Sequence, residues 1–234
     1  MPKKQAQALT WEYENSFGQN AVVCGTDEAG RGPLAGRVYA AAVILDQGDK
    51  DDETVLALND SKKLTEKRRF ELEPEIKNVA VSWCVAYSTV EEIETDNILS
   101  SSLHAMRRAI DGLCLDRSLS DKEKSELCVE ALGGRPQKPD FALVDGNVSK
   151  GFLLPVVTVV GGDGKSPSIA AASILAKTAR DTYCIEYLEK KFPGYGFAVH
   201  KGYGTKAHYE AVSRLGLCEE HRRSFFAKNH KELL

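Results

Sequence analysis

Apolar residues in this chain come in short runs, and that most limits what it can fold into. Ala21 to Cys24, Arg37 to Leu45 (RVYAAAVIL), Val79 to Tyr87 (VAVSWCVAY), Phe141 to Val144 and Leu154 to Val160 are of strand length and mostly rich in β-branched or aromatic residues. Such runs suit buried strands, although the alanines of the second leave it ambiguous. Helical signals come next. Leu99, Leu103, Met106, Ile110 and Leu113 fall at steps of four and three, on one helix face. From Ser168 the run SIAAASILAKTARDTYCIEYLEKK meets no breaker before Pro193-Gly194, which predicts a helix capped by Ser168. A last helix is predicted from the cap Thr205 to Leu215, with Gly216 as its stop. The expected fold is a single α/β domain: a central mixed sheet flanked by helices, with a C-terminal helical region.

A chain of 234 residues holds one large domain or two small ones, and no internal period argues for a repeat array. The expected division is a polar N-terminal segment (1–20), the folded domain (21–226) and a short tail (227–234) that either holds a partner or frays. Asp116 to Pro139, ending in GGRPQKP, reads as a polar surface insertion between a helix and a strand. Six scattered cysteines with no C-x-x-C pair suit a reducing compartment. With no apolar leader and no run long enough to cross a bilayer, the expectation is a cytoplasmic protein with no membrane partner.

The formal net charge is −3, so the chain as a whole is not basic. From Tyr195 onward, however, seven Lys/Arg face four Asp/Glu, and four of the five histidines lie there. This tail becomes more positive if its histidines protonate beside an anion.

Three strand ends carry acids. Asp27 and Glu28 end the first apolar run, Asp145 ends FALV, and Asp163 lies in a glycine-rich turn after VVTVV. If those strands are neighbours, the carboxylates converge on one sheet edge. A turn favours Asp for its own backbone hydrogen bonds, which would explain one such acid but poorly explains three sites. Packed carboxylates need neutralising, and a hard divalent cation does this. Adjacent strand residues point to opposite faces, so Asp27 and Glu28 share a site only if the chain leaves strand geometry there, which the flanking Gly25 and Gly30 make cheap.

Competing motifs fail. Gly30 to Ala35 fits G-x-G-x-x-A, but Asp27 and Glu28 before it would repel a pyrophosphate. Gly164-Lys165-Ser166 resembles the end of a P-loop, yet the required first glycine is Val159. Histidine and cysteine spacings exclude an ordinary zinc site, and no G-x-S-x-G elbow is present. Asp181 reads as half of a surface or helix-packing pair. The segments HKGYGTKAHYE and HRRSFF mix cations with aromatics, which suits either phosphate contact with stacking or a solvated helix face over core rings. Tyr203, between two glycines, is expected to keep its ring accessible.

GTDEAGRGPLAG (25–36), DSKKL (60–64), LVDGN (143–147), GDGKSPSIAAASILAKTARD (162–181), YGFAVHKGYGTKAHYEAV (195–212) and HRRSF (221–225) closely resemble, in order, the signatures of the bacterial-type ribonuclease HII family. The resemblance implies a ribonuclease H-like fold. It implies endonucleolytic hydrolysis of RNA in RNA/DNA hybrids and cleavage 5′ to single ribonucleotides in duplex DNA, with Mg²⁺ or Mn²⁺ and with 3′-hydroxyl and 5′-phosphate ends. It places metal-binding catalytic carboxylates at Asp27, Glu28, Asp145 and Asp163. It places 2′-hydroxyl sensing at Gly30, Arg31, Gly32 and Tyr203. Lys62, Lys63 and Lys177 are expected phosphate contacts. The polar insertion is longer than the family suggests, and the short segment before the first strand disfavours the ribonuclease HIII relative. A monomer is expected, with a sliding-clamp partner left open. The rivals are a non-catalytic hybrid-binding module, which would be expected to lose carboxylates, and a DNA nuclease, which has no 2′-hydroxyl to sense. A dinucleotide enzyme is more distant.

Overall fold

A computed structural model describes residues 9–18 and 20–229, with the side chains of 227–229 left aside. Residues 1–8 and 19 of the N-terminal segment and 230–234 of the tail lie outside the described residues. Six strands form one mixed sheet: β1 (Val23–Ala29), β2 (Val38–Ile44), β3 (Ser82–Ser88), β4 (Val129–Gly134), β5 (Phe141–Asp145) and β6 (Val156–Val159), in the order β4-β3-β2-β1-β5-β6. The strands β1 to β4 pair antiparallel in turn, whereas β1–β5 and β5–β6 are parallel. The three acid-bearing strand ends are therefore neighbours. The β1–β5 ladder closes at Thr26↔Val144, which leaves Asp27 and Asp145 side by side just beyond it.

Both faces of the sheet are covered, which is why its central strands read as unbroken apolar runs. Tyr39, Ala41 and Val43 pack with Leu72 and Ile76 of the helix Glu66–Val79 and with Ala171 and Leu175 of the helix Pro167–Thr182. Ala40, Ala42 and Ile44 face the other way, onto Ala105, Met106 and Ile110 of the helix Ile98–Gly112. The stripe predicted on that last helix holds at Met106, Ile110 and Leu113, but Leu99 is 41% exposed and small residues such as Ala109 fill the contact.

Several expectations are corrected. The stretch 116–139 is not simply an insertion, because it carries the helix Asp121–Glu126 and the edge strand β4. The helix expected to be capped by Ser168 starts at Pro167, with Ser166 accepting from the amide of Ile169 at 3.2 Å. Proline is favoured in the first helical position because its missing N–H would have been unpaired there. The Ser168 hydroxyl instead donates to the buried Glu14, at 2.5 Å. After Thr182 the helix widens into a π-helical stretch, Tyr183–Leu188. The helix Lys206–Leu215 is capped as predicted but is not the last, since Arg223–Asn229 follows. No helix among the described residues is long and apolar enough to cross a membrane, and all six cysteines are free.

Candidate active site

The sheet edge at the ends of β1 and β5 opens into a cavity of about 220 Å³. Asp27, Glu28 and Asp145 line it, with Gly30 to Gly32 and Tyr203 on one wall and Lys62 on another. Ser173 and Lys177, one turn apart on the helix Pro167–Thr182, complete it. Strand β1 does not leave strand geometry at Asp27 and Glu28, contrary to expectation: both residues stay paired with Ala41 and Ala40 of β2. Both reach the cavity because β5 pairs with β1 only as far as Thr26. Gly25, expected to loosen the strand, instead leaves room for the backbone of the helix Pro167–Thr182 at Ser168 and Ile169.

Each carboxylate has its own local partner. Asp27 accepts from the amide of Glu28 at 2.7 Å, Glu28 meets Arg31 at 3.3 Å, Asp145 accepts from the amide of Gly162 at 2.6 Å, and Lys62 reaches Asp163 at 3.5 Å. Asp163 stands beside the cavity rather than in its lining. Burial, then the nearby Glu28 and Asp145, push the Asp27 carboxyl well above the ordinary carboxylate range. Burial also raises Asp163, with Lys62 opposing. Burial pulls against the charge of Lys62, but Asp163, Asp27 and Asp60 outweigh it and raise its pKa.

A divalent cation fits this donor set. Four hard oxygen donors crowd one edge, and the deepest is disfavoured as an anion by its neighbours. Among the described residues no three acidic, cysteine or histidine side chains converge closely enough to hold an ion as they stand. Repulsion accounts for this, since each carboxylate turns to its nearest N–H or cation.

The predicted lysines separate. Lys62 borders the cavity, Lys63 pairs with Asp60 at 3.5 Å, and Lys177 is held by Asp181 at 2.6 Å. Asp181 is buried between Lys177 and Arg69, a helix-packing pair and not a surface one. Tyr203 is 43% exposed, over Arg180 at 5.6 Å. The basic-tail reading is partly overturned: His200, His208, His221 and Arg222 are buried. Burial and a neighbouring histidine hold His208 and His221 down at about 4, so these two add no positive charge near neutrality. Sequence reasoning passed over Asp60, Ser173 and Arg180; Asp60 was visible only as the first residue of DSKKL.

A mixed sheet flanked by helices, with carboxylates at the adjoining ends of β1 and β5 and in the turn after β6, fits a nuclease of the ribonuclease H-like class. The family model for ribonuclease HII matches residues 24–230, and the chain belongs to that family. The ribonuclease HII of Laribacter hongkongensis is 50% identical over 205 residues, covering 87% of this chain and 90% of that protein. The fold is similar to that of the ribonuclease HII in the PCNA complex from Archaeoglobus fulgidus, with a TM-score of 0.60 and 24% identity, covering 90% of this chain and 96% of that one. It is also similar to Bst-RNase HIII solved with Mn²⁺, with a TM-score of 0.56 and 16% identity, covering 93% of this chain and 66% of that one.

Proposed function

We propose that this protein hydrolyses RNA in RNA/DNA hybrids and cuts duplex DNA on the 5′ side of single embedded ribonucleotides. Family membership supports the hybrid activity, and the observation that carries the site is the adjacency of Asp27 and Asp145 at the open end of the β1–β5 ladder. Water attacks the scissile phosphorus in line with the departing 3′-oxygen, leaving a 3′-hydroxyl and a 5′-phosphate. Asp27, Glu28, Asp145 and Asp163 are the residues that would hold Mg²⁺ or Mn²⁺. Such an ion, when bound, supplies the positive charge that activates water and stabilises the leaving oxygen.

The remaining roles belong to the chain itself. Gly30 and Gly32, which have no side chains, let the backbone of the 30–32 turn come close to the ribose, and Tyr203 stands beside Gly32, where a ring packs on the next sugar. Only contact with the 2′-hydroxyl separates RNA from DNA at a given position. Lys62 offers an exposed ammonium to a phosphate, while Lys63 and Lys177 reach one by leaving Asp60 and Asp181. The acting form is a cytoplasmic monomer comprising the domain 21–226, and a sliding clamp is a candidate partner by analogy with the Archaeoglobus complex.

The test is Asp163→Asn. Removing one charge from the donor set is expected to lower turnover on a hybrid by about 10²-fold or more while changing hybrid affinity by less than about threefold. Equal losses in rate and affinity would remove Asp163 from the catalytic set.

A further inference from the structure

The segment His221-Arg222 has no part in the function above, yet it holds the two elements proposed to read the ribonucleotide. Arg222 is fully buried, and among the described residues no carboxylate lies within ion-pair distance of it. Its guanidinium donates to the carbonyls of Gly30 at 2.8 Å, Arg31 at 3.2 Å, Pro33 at 2.9 Å and Gly36 at 2.7 Å. Its amide donates to Leu34, and the amide of Gly36 donates to Glu220, both at 2.8 Å. A buried cation without a counter-charge is costly unless every donor is satisfied. Burial, and then Arg180, bring its pKa down to about 9. The hydrogen bonds offset that cost by turning the carbonyls of the 30–36 loop inward. Among the described residues the amides of Arg31 and Gly32 donate to no protein acceptor, so they are free for a substrate.

His221 does the equivalent for Tyr203. The Nδ1 of His208 lies 3.0 Å from the Tyr203 carbonyl, which can only accept, so this nitrogen carries the proton. Nε2 of His208 then accepts from Nε2–H of His221 at 3.1 Å, and Nδ1 of His221 accepts the amide of Cys218 at 2.9 Å. Only neutral rings satisfy this chain. The two anchored elements touch, since the amide of Leu34 donates to Gly202 at 2.8 Å and a Cβ on Gly32 would lie 3.8 Å from the Tyr203 ring.

We propose that His221 and Arg222 are positioning residues that anchor the Gly30–Gly32 turn and Tyr203 to one point, fixing the spacing at which a single ribose is recognised. The proposal rests on the sensing roles given above.

The experiment is equilibrium binding in Ca²⁺ to two duplexes, one all-DNA and one with a single ribonucleotide, beside thermal unfolding of each variant. Arg222→Lys keeps a charge but loses the planar fork. It is expected to reduce the preference for the ribonucleotide by about tenfold, with all-DNA affinity within about twofold of wild type. His208→Phe keeps a ring but loses the link to Tyr203, and it decides the matter if Arg222→Lys fails to fold. It is expected to shift the preference in the same direction. A general loss of structure would weaken both duplexes alike, and that result overturns the proposal. So does an undiminished preference in a folded variant. A wild type without any preference overturns the sensing roles and the anchor together.

Discussion

Gly25 sits in the middle of β1, paired with Val43 and Leu143, under the first turn of the helix Pro167–Thr182. A Cβ placed there would lie 2.2 Å from the Ser168 carbonyl carbon and 2.3 Å from the Ile169 amide nitrogen, where ordinary contact begins at 3.4 Å. These are backbone atoms, so no side chain can swing aside. In Gly25→Ala the helix must retreat from the strand by about 1.2 Å. Forced overpacking of this kind sits at the upper end of its usual cost, about 3 kcal/mol. In a domain of this size that is a fall in Tm of about 6–12 °C. The same retreat carries the Gly162–Gly164 turn, and Asp163 with it, away from Asp27. A displacement of about 1 Å at a catalytic group costs about 10²-fold in rate. Thermal unfolding and single-turnover hydrolysis of a hybrid measure the two effects. A variant within about 2 °C of the wild-type Tm and within about threefold of its rate would refute the reasoning.

Asp27→Asn is expected to raise the Tm of the metal-free protein at neutral pH, because it removes the carboxylate that burial and its neighbours disfavour most. It should also blunt the rise in Tm that Mg²⁺ is expected to give in wild type; an equal rise in both would remove Asp27 from the metal ligands. His208 and His221 have folded pKa values of about 4, below the ordinary 6.5. Between those values the unfolded chain binds more protons than the folded one, so stability present above about pH 6.5 is lost as the pH falls toward 4. His208→Phe should flatten that slope in chemical denaturation, and an unchanged slope would mean that other groups titrate.

The strands of the sheet centre were legible because burial on both faces leaves a continuous apolar run, as in Val38–Ile44. Strand β4 was not, because VEALGG lies at an edge with only Val129 fully buried, and its composition is that of a loop. The helix Glu66–Val79 is masked in the sequence because charged residues surround its few buried positions and Pro74, a residue that usually breaks helices, lies inside it. The positions of the four acids could be read from their strand ends, since parallel neighbours bring such ends together. Their partners could not. Nothing local in the sequence shows that Arg222 turns inward to four carbonyls some 190 residues away, or that three histidines of a basic-looking tail pack together in the core. Those facts are set by the packing of the C-terminal segment against the 30–36 loop.

The central claim is a cut directed by one ribose. The most direct measurement incubates the protein with Mg²⁺ and three end-labelled duplexes: DNA with one ribonucleotide, a full RNA/DNA hybrid, and DNA alone. The expected result is incision on the 5′ side of the lone ribonucleotide, leaving a 3′-hydroxyl, with cutting along the hybrid and none in DNA. Binding without incision in either Mg²⁺ or Mn²⁺, or equal cutting of the all-DNA duplex, would contradict it.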